Sequence, residues 1–177
     1  AGLLPAIPRG MRTHMHHFSR RLRTAAVLGM ASIALAGCSL ISSGDAKRDE
    51  SGKPTESSKA DAFKVKLGDC IANPDSQEVM DVTIIPCDQS HDLEAYALTN
   101  MDASTFPGDT EVGTKAEEYC GAQFAPFVGL PFEESELDVT FLHPTSDSWK
   151  NGDREIVCLI GGAAGAATTG TLKGAAK

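Results

Sequence analysis

Several things this chain lacks narrow its function before anything it contains. The apolar run from Thr24 to Gly37 stops at fourteen residues, short of the roughly 20 that a membrane-spanning helix needs. No two cysteines stand in CxxC spacing, which disfavours a redox dithiol or a zinc ribbon. After residue 37 the only histidines are His91 and His143, too few for a His-rich metal site, and no metal or cofactor is expected. No GxSxG elbow, SxxK pair, Walker loop or GxGxxG turn is present, so the common nucleophile and phosphate-cradling signatures are missing. Gly161-Gly162 lacks the following helix that a phosphate site requires. No catalytic residues are expected, and no internal repeat occurs.

The amino-terminal segment has the three-part layout of a bacterial export signal. Arg12, Arg20, Arg21 and Arg23 precede the apolar run, and Leu35-Ala36-Gly37-Cys38 matches the lipobox read by lipoprotein-processing enzymes. Residues 1–37 are therefore expected to be removed and Cys38 to be lipidated. Two acyl chains on that cysteine give stable anchoring where one gives only marginal binding. The protein is expected on the outer face of the cell membrane, held there by lipid. Met11 or Met15 would start a signal of ordinary length, so residues 1–10 are read as a start-site or expression artefact. His14, His16 and His17 fall in the removed segment and receive no role.

Processing at Cys38 changes the charge. Eleven lysines and arginines remain against 24 acidic residues, a formal charge of −13. An acidic domain repels phosphate backbones, so nucleic acid is not an expected partner. Four cysteines remain for the exported domain, Cys70, Cys87, Cys120 and Cys158, and an even number outside the cell argues for disulfides. Three connectivities are open. Cys70–Cys87 with Cys120–Cys158 is favoured, because the first closes a short loop and the second ties a helix to a strand.

Ser39 to about Ala62 is rich in Ser, Lys, Asp and Glu and cannot bury a core. It reads as a flexible tether of 24 residues, with a typical reach of roughly 25 to 30 Å. The folded part begins near Phe63. Val79–Ile85 and Leu93–Leu98 read as short strands, with Leu93, Ala95 and Ala97 alternating against polar or larger neighbours. Asp109 or Thr110 can cap a helix whose apolar face carries Val112, Ala116, Tyr119, Cys120 and Phe124, with Pro126 as its stop. Leu137, Val139 and Phe141 alternate in a third strand, and Ile156–Ile160 is apolar on both faces, as a central strand should be. Between them His143–Arg154 is turn-rich, and Asn151-Gly152 signals a hairpin. The Gly/Ala/Thr-rich segment from Gly161 onward is expected to be loosely ordered. The sum is an α+β domain: an antiparallel sheet of four or five strands with one main helix, stapled by two disulfides.

Two groups of side chains are candidates for a binding surface. His91-Asp92 could orient a general base, or His91 could simply bond to backbone. Trp149 with Asp153 and Arg154 could form a stacking surface, or the ring could fold over the domain edge.

These residues also carry a family resemblance. Gly68-Asp69-Cys70, Ile85-Pro86-Cys87 with Ser90-His91-Asp92-Leu93-Glu94, Tyr119-Cys120, Trp149 with Gly152-Asp153-Arg154 and Cys158, and Thr169-Gly170-Thr171-Leu172-Lys173-Gly174 together resemble the septum-formation domain of actinobacterial membrane proteins and lipoproteins. The likeness covers roughly Val65 to Gly174, which sets the domain at residues 63–174 and leaves 175–177 as a tail. It departs from the family only at Gln89-Ser90, where a proline is common. The resemblance implies that the four cysteines pair and that the protein serves cell division or envelope assembly. The expected role is a lipid-anchored binding module for an envelope protein or wall polymer. The alternatives are an envelope enzyme using His91 and Asp92, or a carrier of small ligands or cations.

Overall fold

The computed structural model describes residues 45–74 and 79–177. Among them six strands form one antiparallel sheet: β1 (Ser58–Asp61), β2 (Cys70–Ile71), β3 (Asp81–Ile85), β4 (Leu93–Asn100), β5 (Asp138–Leu142) and β6 (Glu155–Gly161), in the order β1-β3-β2-β4-β6-β5. The main helix is α1 (Asp109–Val128); α2 (Ser146–Lys150) is a short second one. The fold is α+β as expected, but the sheet is larger than four or five strands. Neither added strand has a legible pattern: β2 has two residues, and β1 reads Ser-Lys-Ala-Asp with one apolar side chain. Both exist because β3 offers backbone partners, Ser58–Asp61 on one side and Cys70–Ile71 on the other.

Each face of the sheet carries a hydrophobic core, and a bulge in β4 allots its side chains between them. Pairing with β6 slips between Ala95 and Ala97. An extra residue reverses the alternation of a strand, so Leu93, Ala95 and Leu98 join one core while Tyr96 and Ala97 both join the other. The simple alternation expected for Leu93, Ala95 and Ala97 is therefore broken at Tyr96. In β6 no slip occurs: Ile156, Cys158 and Ile160 face α1, and Val157 and Leu159 face away.

Helix α1 presents Val112, Ala116, Cys120, Phe124 and Val128 to the sheet, each buried, a stripe at intervals of four. Gly108 is its N-cap, not Asp109 or Thr110; Asp109 and Glu111 stand in the first turn, where negative charge favours the helix dipole. Pro126 does not stop it. A proline removes one backbone donor, and so near the carboxyl end the helix runs on to Gly129, which ends it at φ 87° with its N–H on the Ala125 carbonyl. Tyr96 Oη donates to the Cys120 carbonyl at 2.7 Å and Tyr119 Oη to that of Leu98 at 2.8 Å. Burial pushes the Tyr96 hydroxyl's ionisation well above its ordinary value, so it stays a donor.

The bridges join Cys70 to Cys87 and Cys120 to Cys158, the favoured pairing. Closing loops of 17 and 38 residues, they restrict the unfolded chain by about 3 and about 4 kcal/mol in the chain-entropy account.

Three local expectations give way to a different order. Within the expected tether, Ala46 is buried, β1 joins the sheet, and Arg48 donates both terminal nitrogens to the Asp69 carboxylate at 2.6 and 2.7 Å. That carboxylate is 1% exposed and also accepts the Lys66 N–H, so polar composition hid a buried ion pair. The expected hairpin at Asn151-Gly152 is instead the end of α2, begun by a capping box between Thr145 and Ser148. The carboxyl-terminal segment, expected to be loose, is fastened: Leu172 is buried, Gly174 N–H donates to the Phe127 carbonyl and Ala176 N–H to that of Val128.

Candidate binding groove

Among the described residues, the sheet face turned away from α1 is incompletely covered. A groove of about 660 Å³ remains there, within the usual range for ligand sites. Its floor is apolar, formed by Leu93 of β4, Val157 and Leu159 of β6 and Leu142 of β5, with Phe63, Val79 and Met80 at one side. The β1–β3 pairing sets that side, since Ala62 N–H donates to the Met80 carbonyl at 2.9 Å. Phe63 is 45% and Met80 73% exposed, so apolar surface faces water there, as it does at recognition sites.

The opposite rim is acidic. Asp109 comes from the start of α1, Asp147 from α2, and Asp153 and Glu155 from the entry to β6; His143 follows β5, and among the described residues no lysine or arginine lines the groove. Lys150 lies 2.7 Å from Asp147 and holds its carboxyl below the ordinary range. Asp153 is tied inward, accepting from Ser148 Oγ at 2.7 Å and from Glu155 N–H at 3.0 Å. Glu155 shows no salt bridge among the described residues, and burial, then the neighbouring Asp153 charge, raises its carboxyl above the ordinary value.

The expected binding residues do not assemble into one surface. His91 is 2% exposed. Its Nδ1 is 2.9 Å from the Gln89 carbonyl, so that nitrogen carries the proton, and Nε2 meets Thr168 Oγ1 at 3.2 Å. Both nitrogens are engaged, and neither meets Asp92, whose carboxylate accepts the Asn73 N–H at 2.8 Å. Trp149 is 6% exposed. The Arg154 guanidinium lies 3.7 Å from its ring centre and donates to the Trp149 and Asp153 carbonyls at 2.9 and 2.6 Å; Phe106 meets the ring edge-on. The tryptophan is a covered hinge of the α2–β6 connection. His91 precedes the first residue of β4, while Met101, just past its last, donates to the Arg154 carbonyl. A strand of eight residues thus separates the two groups, about 20 Å or more at the ordinary rise. Of the five residues only Asp153 lines the groove. Cys38 lies outside the described residues.

Sequence reasoning missed Phe63, Met80 and Glu155. The first two meet only through long-range strand pairing. Glu155 could have been found, because it has the same strand parity as Val157 and Leu159. Among the described residues no three His, Cys, Asp or Glu side chains converge as a metal site, and no helix is long and apolar enough to cross a membrane.

A sequence model of the family described as Septum formation matches residues 36–177. The chain belongs to the septum-formation family. Curated proteins from Mycobacterium tuberculosis (strain ATCC 25618 / H37Rv) and Mycobacterium bovis (strain ATCC BAA-935 / AF2122/97), both named "Putative lipoprotein LppN", are each 27% identical over 116 residues, which is 63% of this chain and 63% of the relative. The chain thus spans less than two thirds of the length of those relatives. No solved structure matches.

Several of the residues that carried the septum-formation resemblance turn out to form a clasp on the carboxyl-terminal segment. Gly170 N–H donates to the Cys87 carbonyl, and His91 and Thr168 exchange backbone bonds as well as the side-chain contact. Glu94, 3% exposed, accepts Thr171 Oγ1 at 2.6 Å and Leu172 N–H at 2.7 Å. Its burial is satisfied by donors that arrive 77 and 78 residues later. In this septum-formation domain His91 and Glu94 therefore hold the fold together, and the open chemistry lies in the groove.

Proposed function

We propose that the chain is an extracytoplasmic module of the cell envelope, held at the membrane by lipid on Cys38, that binds a partner during septum or envelope assembly and catalyses no reaction. The lipobox at Leu35–Cys38, the family, and the lipoprotein name of the mycobacterial relatives support the address. The observation that carries the binding role is the groove: half-buried Leu93 and Leu142 above the buried Val157 and Leu159, with Phe63 and Met80 left to solvent, on a sheet braced by two disulfides. The engaged nitrogens of His91 argue against the envelope-enzyme alternative that relied on that residue.

The anchor would hold the domain closely. Ala46 and Arg48 are docked, and the seven residue steps from Cys38 to Asp45 can span no more than about 25 Å. The experiment is complementation of a deletion strain. Cys38→Ala should move the protein from the membrane to the soluble fraction and fail to complement. Phe63→Ser/Met80→Ser should stay at the membrane, fold normally and also fail. Full complementation by both would overturn the proposal.

A further inference from the structure

The chemistry of the groove specifies what kind of partner it takes, granted that the groove is the binding site. Its floor is a strip of sheet bearing Leu93, Val157, Leu159 and Leu142. Among the described residues its rim bears four carboxylates; Lys150 already pairs with Asp147 and Asp153 is bonded inward, which leaves Asp109 and Glu155 for an incoming cation. Most acidic surfaces are merely solvated, but Glu155 differs. It shares a strand face with Val157 and Leu159, is partly buried, and stands beside the like charge of Asp153 with no counter-cation among the described residues. A like charge beside a partly desolvated carboxylate is unfavourable, and a cation placed there would relieve it. Just across the groove, Phe63 and Met80 expose apolar surface that a side chain could cover; methionine adapts readily to such contacts. An anionic or purely hydrophobic occupant would use one half of this surface and leave the other unmatched.

We propose that the groove receives a segment of a partner polypeptide in which lysine or arginine alternates with apolar residues, the cations on the Asp109 and Glu155 rim and the apolar side chains between Leu93, Leu142, Phe63 and Met80. Charge complementarity selects this occupant, since electrostatics governs partner choice more than raw affinity.

The test uses the processed chain in nanodiscs of zwitterionic phosphatidylcholine, which do not themselves attract cations, and three fluorescent heptapeptides: KLKLKLK, ELELELE and KGKGKGK. KLKLKLK should bind at least ten-fold more tightly than either other peptide. Asp109→Asn/Glu155→Gln should weaken it at least ten-fold and flatten its dependence on salt, and Phe63→Ser/Met80→Ser should weaken it similarly, with both variants remaining folded by circular dichroism. Equal binding of KLKLKLK and ELELELE, or KLKLKLK affinity unchanged in Asp109→Asn/Glu155→Gln, would overturn the proposal. So would a dimer in sedimentation that Phe63→Ser/Met80→Ser dissolves, because the occupant would then be a second copy of the chain. If the heptapeptides fail while Phe63→Ser/Met80→Ser still loses complementation, the occupant's charge is wrong and the binding module stands. If Phe63→Ser/Met80→Ser complements fully, the groove itself is not the site.

Discussion

Replacing Glu94 probes how the carboxyl-terminal segment is held. Its two carboxylate oxygens accept one bond each, from the Thr171 hydroxyl at 2.6 Å and the Leu172 amide at 2.7 Å, and the side chain is 3% exposed. A hydrogen bond to a charged group contributes about 1.5 to 3 kcal/mol, and a buried donor left without a partner costs about 1 to 3. Glu94→Ala removes both bonds and strands the Leu172 N–H, so it should cost about 3 to 5 kcal/mol. Glu94→Gln keeps one carbonyl oxygen for Leu172 N–H, and the Thr171 hydroxyl can rotate to accept from the new amide. It loses only the charge assistance and should cost about 1 to 2 kcal/mol. Urea unfolding gives the magnitudes. Hydrogen exchange at Leu172 gives the location, with protection lost in Glu94→Ala and largely kept in Glu94→Gln. Equal costs for the two variants, or unchanged exchange at Leu172 in Glu94→Ala, would refute the clasp.

Arg48→Ala should cost about 3 kcal/mol in urea unfolding, because it leaves the Asp69 carboxylate, 1% exposed, without its cation; Arg48→Lys should recover only part, since an ammonium cannot form the paired contact. Glu155→Gln should flatten the fall of stability with pH. The folded protein holds the Glu155 proton more tightly than the unfolded chain, so this group's contribution declines as pH rises from the ordinary glutamate value through its raised folded value. Urea midpoints from pH 4 to 8 check this, and a steeper fall in the variant would contradict it. Cys120→Ala/Cys158→Ala should lower stability by about 4 kcal/mol, given the 38-residue loop, and more than Cys70→Ala/Cys87→Ala does.

What could be read from the sequence was what depends on local pattern. The α1 stripe from Val112 to Phe124 and the doubly buried Ile156–Ile160 are periodicities, and the order of the cysteines favoured the observed bridges. What escaped depends on partners distant in the chain. The polar segment before Phe63 looked like tether because Arg48 finds Asp69 only after folding. The Gly/Ala-rich end looked loose because its order comes from Glu94 and His91. The β4 bulge is invisible in a run whose residues could alternate either way. At the site, His91 and Trp149 attracted notice as rare residue types, yet both are buried supports. The groove is made of ordinary Leu, Val, Phe and Met side chains joined by the strand order β1-β3-β2-β4-β6-β5.

The most direct test of the account is the affinity of KLKLKLK for the nanodisc-held protein and its Asp109→Asn/Glu155→Gln variant, measured side by side at low salt. The variant should bind at least ten-fold more weakly while remaining folded by circular dichroism. Equal affinity for the two proteins would contradict the reading of the acidic, apolar-floored groove as a docking site for a basic segment.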